Sequence, residues 1–460
     1  MGGQCQWRVY GSTTSIALPL CWQTASGGYR LKVLLSTPTY VPFVGGARTF
    51  VENMGCRLAA DGNHVTVLTT NARRVSDFWQ PSTSEAPSLP AHEVLDGVVV
   101  ERLQLIHPWP APYRFGLLRR AGLWLHLCRL PAGLVRPAQQ HLSRWMPPLR
   151  GLSNALRQWG PEVDLIHADD SSWDGLLLAA ATAARRYRKP LVVRPLMHLG
   201  NAWVQSHHAM AHQVSVYRDA AAVLALSQRE AAAIEALGIS PQRIHIIRMG
   251  VEPEIPVSPE TLDTAGFRRE HAVGGPIVAF VGANTYDKGA FALAEAVIQL
   301  NLEGLPLDLV CAGPQGEGLR AFLQQQPSEV QAVVRDRVHI LGIVDEVTKH
   351  RLLGACNLFA LPSQVDTFGI VFLEAWLHSK PVIGANAGGI PDLVQHEKTG
   401  LLVPFGDVSA LAAAIRRLLA KPGLAAQLGT TGHQVLRHYT WDQTYQTLVE
   451  VYNAALAEAA

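Results

Sequence analysis

In the stretch SQVDTFGIVFLEAWLHSKPVIGANAGGIPDLV, residues 363–394, Asp366 stands eight positions before Glu374, with Phe368 and Gly369 between them. Two carboxylates in such a place have three uses. They can act as a general acid and base, hold a metal ion, or grip the hydroxyls of a ligand. Lys288, in FVGANTYDKGA, is a third candidate. A glycine turn from strand to helix aims backbone N–H groups and the positive helix end at an anion, and a lysine there adds a full charge. The plain alternative is that Asp366 and Glu374 only stabilise a helix N-terminus, and that Lys288 is one more surface lysine.

These residues need a frame. LKVLLST at 31–37 is a continuous apolar run of the kind buried on both faces of a parallel sheet. HVTVLTT, VDLIHA, a helix over 174–187, PLVVRPLMH and AAVLALS continue the alternation. The same rhythm restarts with PIVAFVG, a helix from about 289, LDLVCAG, VHILG, LFALPS and PVIGANA. Strand and helix in steady succession predict α/β architecture, two Rossmann-like doubly wound domains facing across a cleft. MGVEPEIPVSPETLDTAG reads as the linker near 250–266.

That frame places the chemistry. LFALPS puts Asp366 in the loop at a strand's C-terminal end. Thr367 is expected to cap a helix starting near Phe368 or Gly369, with Glu374 in its second turn. Both acids then project toward the cleft, and the amides of Gly369, Ile370 and Val371 aim into it. A carboxylate near a helix start suits a ribose diol. GANAGGIPD forms a second glycine loop, with Pro391 just inside the next helix.

Composition excludes several classes. Of 460 residues, 48% are hydrophobic and 17% charged, which describes a folded globular chain. A net charge of +2 gives no case for nucleic-acid binding. The six cysteines include no C-x-x-C pair, arguing against a zinc site or a disulfide framework and for a reducing cytoplasm. No apolar run reaches the roughly 18–20 residues that span a bilayer. SIALPLCW, near the start, faintly resembles a signal sequence but is short, so residues 1–29 are expected to be an extension or to follow an early start codon.

Residues 102–161 stand apart: nine arginines, no Asp or Glu, and Trp109, Trp124, Trp145 and Trp159. Leu117, Leu118, Ala121, Trp124, Leu125 and Cys128 recur at helical spacing. Either this insertion packs its helices on the N-terminal domain, or it offers a basic, Trp-bearing surface to anionic lipid and a lipid-linked acceptor.

The string PSQVDTFGIVFLEAWLHSKPVIGANAGGIPDLVQHEKTGLLV resembles the signature of retaining, GT-B-fold glycosyltransferases of family 4, whose usual form has two glutamates separated by seven residues. The resemblance continues through YVPFVGGARTFVENMGCRLAADGNHVTVLTT, IHIIRMGVEP, FVGANTYDKGA, CAGPQGEG and VHILGIVDE, and covers about 30–440. It implies an N-terminal acceptor domain at 30–253, a donor domain at 254–440, and a closing helix at 441–460 that crosses back. It further implies that Glu374 holds the ribose of a nucleotide-sugar donor and that Asp366 contacts the donor sugar. Phe368 and the amides of Gly369, Ile370 and Val371 would lie against sugar or phosphate. Lys288 would neutralise the diphosphate, Gly45 and Gly46 would touch it from the first domain, and residues around Val344 would line the base pocket. His198 matches the family's histidine near sugar and acceptor, with His167 a rival more simply read as structural.

The resemblance implies retention of configuration, a diphosphate oxygen as base, and no metal or other cofactor. The partners expected are a nucleotide sugar and a hydroxyl acceptor that is a glycan, a lipid-linked species or a small molecule. The place of action is cytoplasmic, or peripheral at the inner membrane face. Two departures matter: Ala283 stands where an arginine often follows the FVG glycine, with Arg248 a possible substitute, and Asp366 replaces the usual glutamate. His207, His208 and His212 cluster locally but lack a glutamate partner for a metal. The alternatives are a GT-B nucleotide-sugar epimerase or sugar-phosphate synthase, and a non-catalytic nucleotide-sugar-binding homologue.

Overall fold

A computed structural model describes residues 30–81, 87–109, 111–128, 130–255, 258 and 261–459, together with the short strands Gln6–Trp7 and Ile16–Ala17. Apart from those two strands, the N-terminal extension with its signal-like SIALPLCW lies outside the described residues. Among the described residues no helix is long and apolar enough to cross a membrane.

Two sheets carry the fold. The first has nine strands, and its main path runs Ile244–Ile246, Ala222–Ala225, Leu191–Arg194, Leu165–Asp169, Lys32–Ser36, His64–Thr70, Val98–Leu105, His92–Leu95. It is parallel except where His92–Leu95 and Leu149–Arg150 pair antiparallel with Val98–Leu105. The second sheet is all parallel, in the order Val338–Gly342, Asp308–Ala312, Ile277–Val281, Leu358–Leu361, Val382–Ala385, Leu401–Val403. Ile277–Val281, Asp308–Ala312 and Leu358–Leu361 are buried at every position, because helices cover both faces.

In each sheet the chain first winds one way and then the other. The reversal lies between Lys32–Ser36 and Leu165–Asp169 in the first sheet, and between Ile277–Val281 and Leu358–Leu361 in the second. Loops leaving the strand C-termini diverge at such a point and open a crevice. The chain passes between lobes at Val251 and at Thr440, which bridge one another, Val251 N–H donating to Tyr439 O at 2.9 Å. The final helix, Trp441–Ala459, then packs back on the first lobe. There Tyr445 Oη lies 2.5 Å from Asp61 Oδ2, and Tyr452 Oη lies 2.6 Å from His167 Nδ1.

The Arg/Trp segment forms the helices Ala111–Leu127, Ala132–Ser143 and Leu152–Trp159. Ala132–Ser143 turns Val135, Gln139 and Ser143 inward, and Gln139 Nε2 donates to Gly122 O at 3.0 Å. Burial on Ala111–Leu127 falls on Gly122 and Leu123, not on the row Leu117, Ala121, Trp124 that periodicity marks as apolar; those three face solvent. The spacing is helical as expected, and Leu118, Leu125 and Cys128 of that stripe are half-buried while its other members face outward.

Candidate functional site

The reversal point of the second sheet carries the loops that hold Lys288 and Asp366. The loop after Ile277–Val281 leads into the helix Ala290–Leu302. The loop after Leu358–Leu361 lies against it, Gln364 N–H donating to Asp287 O at 2.8 Å. This seam brings Lys288 Nζ to 3.1 Å from Asp366 Oδ2. Burial alone raises the Asp366 pKa, but the Lys288 charge and hydrogen bonds from Ser363 and Lys288 outweigh it, so its carboxyl titrates below the ordinary value. The Asp366 carboxylate is therefore held in its ionised form beside Lys288 on one wall.

The Asp366 loop also rests on the glycine pair that follows Val382–Ala385. Gly389 N–H donates to Asp366 O at 2.7 Å, and a Cβ on Gly389 would stand 1.9 Å from Thr367 O. Gly388–Gly389 thus acts as a cradle for the Asp366 loop, and the helix it opens, Ile390–Leu393, has only four residues.

Helix Ile370–Leu377 begins after Gly369, whose φ of 84° makes it the N-cap, with no side-chain cap. The expected capping by Thr367 does not form, because the left-handed glycine turns the chain two residues later. Phe372, Leu373, Trp376 and Leu377 are all buried, each worth about 1.5–3 kcal/mol, so this helix is a rigid base for Glu374. Glu374 Oε1 accepts from Lys349 Nζ at 2.9 Å, while Glu374 Oε2 is buried with no partner. Lys349 also reaches Glu346 Oε2 at 2.7 Å. Burial pulls the Lys349 ammonium down, but the Glu374 and Glu346 carboxylates outweigh it and hold its pKa above the ordinary value. Val344 is half-buried in the turn before the helix Glu346–Ala355, and Phe368 is buried against Tyr439, whose ring Arg248 overlies at 5.8 Å.

The first lobe supplies the facing wall. Gly45 and Gly46 are exposed at the open N-terminus of the helix Gly46–Ala60. Arg48, in its first turn, adds its charge to that of Lys349 in lowering the Glu346 pKa across the cleft. Arg194 is fully buried behind it, paired with Asp169, 3.7 Å from the Phe50 ring centroid, and donating to Ala47 O at 3.4 Å.

His198 Nδ1 lies 2.9 Å from Val365 O of the opposite lobe, beside Asp366. A Cβ on Gly200 would stand 2.0 Å from Gln364 O, so the lobes touch closely there. Glu230 fixes the backbone on the near side of His198, accepting from Met197 N and Leu226 N, each at 2.7 Å. Burial pushes its pKa up to about 7 despite those amides.

The structure thus groups Lys288, Asp366, Phe368, Gly369, Ile370, Val371 and Glu374 on the second lobe, with His198, Gly45 and Gly46 on the first. His167 goes elsewhere, to Tyr452 of the closing helix. Burial and the Arg194 charge lower its pKa to about 3. The neighbouring histidines have separate partners: His208 pairs with Ser171, and His212 with Ser143 and Asp174. Among the described residues no cluster of three or more His, Cys, Asp or Glu could hold a metal ion.

Sequence reasoning did not single out Lys349, Arg194 or Glu230. Lys349 lies 25 residues before Glu374 and only folding joins them. Glu230 carries a partial signal, since Ser227-Gln-Arg-Glu230 has the form of a capping box. Ser227 does cap that helix, but the Glu230 carboxylate reaches Met197 instead.

Two family models match the chain: "Glycosyl transferase 4-like domain" over residues 45–250 and "Glycosyl transferases group 1" over residues 264–435, one on each lobe. A D-inositol 3-phosphate glycosyltransferase of Jonesia denitrificans is 24% identical over 435 residues, spanning 90% of this chain and 92% of its own. Anabaena Alr3699/HepE in complex with UDP superposes with a TM-score of 0.67 at 19% identity, covering 92% of this chain and all of the other. HepE has also been crystallised with UDP-glucose. Sucrose-phosphate synthase of Thermosynechococcus elongatus gives a TM-score of 0.67 at 21% identity, covering 93% of this chain and 100% of that one.

Proposed function

Given that the chain belongs to the family-4 type of GT-B glycosyltransferases, which act on nucleotide sugars, we propose that it transfers the sugar to a hydroxyl acceptor with retention of configuration. The observation that carries the site is Glu374. Lys349 keeps one of its oxygens in place while the other is buried without a partner, an arrangement that asks for a donor such as a ribose hydroxyl. Asp366 and Lys288, on the same wall, suit a sugar hydroxyl and a diphosphate.

Such placement does not suit glycoside hydrolysis, where two carboxyls flank the scissile bond from opposite sides. In the proposed step the bond from the anomeric carbon to the phosphate oxygen breaks, and its electron pair leaves on the nucleoside diphosphate. Lys288, the open amides of Gly369, Ile370 and Val371, and the helix N-terminus at Gly45–Gly46 face the growing charge. The acceptor oxygen bonds to the same face of the sugar, and its proton passes to the departing diphosphate oxygen. His198, fixed against the Asp366 loop, would hold a sugar or acceptor hydroxyl. Lobe contact at Gly200 would exclude water while the donor is loose. The charge is met by protein groups, so the proposal requires no divalent metal and places no other cofactor in the site.

The test is release of nucleoside diphosphate from a panel of UDP-, GDP- and ADP-sugars, with UDP-glucose first because the HepE neighbour binds it. Turnover of one donor, insensitive to EDTA and giving a product with the donor's anomeric configuration, is the expected result. Inversion, or full loss of activity in EDTA, contradicts the mechanism; no binding of any donor contradicts the function.

A further inference from the structure

The helix Ala111–Leu127 turns Tyr113, Leu117, Arg120, Trp124 and Leu127 to solvent. At about 100° per residue these five fall within one narrow arc, a row about 21 Å long. Leu117 is 64% and Trp124 65% exposed. The row runs on to the tip of the hairpin made with Ala132–Ser143, where Leu130 and Leu134 are also exposed, Leu134 at 71%. Trp109, just ahead of the first helix, is 91% exposed. A soluble surface rarely leaves a continuous row of this kind uncovered.

Charge decides what covers it. Residues 102–161 hold nine arginines and no acid, and of these only Arg102 is buried in the sheet against a carboxylate, Glu93, among the described residues. Arg120 lies within the row, Arg136 and Arg144 are exposed on and just after the hairpin's second helix, and Arg114 stacks over Trp145 at 4.8 Å. Asp170 and Asp174 act on Arg119 at the inner side of the hairpin, and Asp174 is buried with His212. A second copy of this surface would oppose arginine to arginine. Nucleic acid would leave the leucines and tryptophans in water. Aliphatic and indole side chains flanked by guanidinium groups fit the boundary between headgroups and acyl chains of an anionic bilayer.

The hairpin also adjoins the catalytic cleft. Met210 Sδ would lie 3.7 Å from a Cβ on Gly122, and Arg119 acts on His207, whose ring meets Trp203 edge-on at 5.6 Å. Asn201, two residues before Trp203, reaches Gln364 of the donor lobe at 3.4 Å. We propose that this hairpin seats the protein on an anionic phospholipid surface with the cleft rim beside it, so that the acceptor hydroxyl is carried by a membrane lipid. The acceptor assignment rests on the transferase reading; the membrane contact stands without it.

The test is sedimentation of the full chain with phosphatidylcholine vesicles, with and without phosphatidylglycerol. Donor binding is measured on the same samples. The expected result is binding to the anionic vesicles only, weakened by salt, and reduced about fivefold or more by the double change Leu117→Ala, Trp124→Ala and by Arg120→Ala, Arg136→Ala. Donor affinity and melting temperature should not move in either variant. Protein left in the supernatant with anionic vesicles overturns the proposal, as does equal binding to neutral vesicles. A vesicle-free dimer that the Leu117, Trp124 change dissolves overturns it in favour of a second copy. Loss of vesicle binding with donor binding intact sinks only the membrane contact; loss of donor binding with vesicle binding intact sinks only the transferase reading.

Discussion

Glu374, on the helix Ile370–Leu377, and Lys288, in the loop before Ala290–Leu302, share one wall, yet removing them should have different signatures. Glu374→Ala deletes the unpartnered oxygen and should weaken donor binding, lowering kcat/KM at least about tenfold, or roughly 1.4 kcal/mol. Lys288→Ala removes charge from the leaving group and should lower kcat by a similar factor. Steady-state kinetics on a donor that turns over checks both, and wild-type values in either contradict the assignment. Lys349→Met tests the ion pair behind Glu374. Without its ammonium the buried carboxylate is harder to ionise, so the acid limb of donor binding should move to higher pH. An acid limb at the same pH as in the native chain would show that Lys349 is dispensable.

The parallel strands were legible in the sequence because burial on both faces leaves continuous apolar runs, as in IVAFV and DLVCA. The position of Asp366 and Glu374 followed from the strand before them. Closeness between segments was not legible. Gly388–Gly389 reads as one more glycine turn, and only the fold shows that Thr367 O occupies the space a side chain would need. Gly389→Ala should therefore displace the Asp366 loop, costing about 1–3 kcal/mol and weakening donor binding together. A melting curve and a donor titration check it, and an unchanged pair of values refutes the cradle. Periodicity likewise gave the right helix in the insertion but not which part of its apolar stripe turns inward, Leu118, Leu125 and Cys128 and not Leu117, Ala121 and Trp124, since spacing carries no sign of which side is covered, and Gly122 buries its face by close approach to Met210.

At the scale of the molecule, each lobe holds buried ionisable groups whose protonation should be felt in stability. His167, His350 and His378 are held neutral by burial, with pKa values near 3, 3 and 4, so the unfolded chain takes up protons below about 6.5 that the fold refuses. Asp169 and Glu230 oppose this: burial raises them to about 6 and 7, and the fold takes up their protons before the unfolded chain does. His208, which burial also holds well below the ordinary value, joins the histidines, so they outweigh these two carboxyls, the unfolded chain binds more protons between roughly pH 4.5 and 6, and stability rises with pH there. The melting temperature should thus rise from pH 4.5 to 6; a fall would mean the carboxyls dominate.

The crevice at the second sheet's reversal point should bind a nucleotide sugar through Glu374. Calorimetric titration of the full chain and of Glu374→Gln with UDP-glucose, then with the GDP- and ADP-sugars, checks this. Saturable binding of one donor by the native chain, at least about tenfold weaker in the variant, is the predicted result. Equal affinity in both proteins, or no binding of any donor by the native chain, contradicts the account.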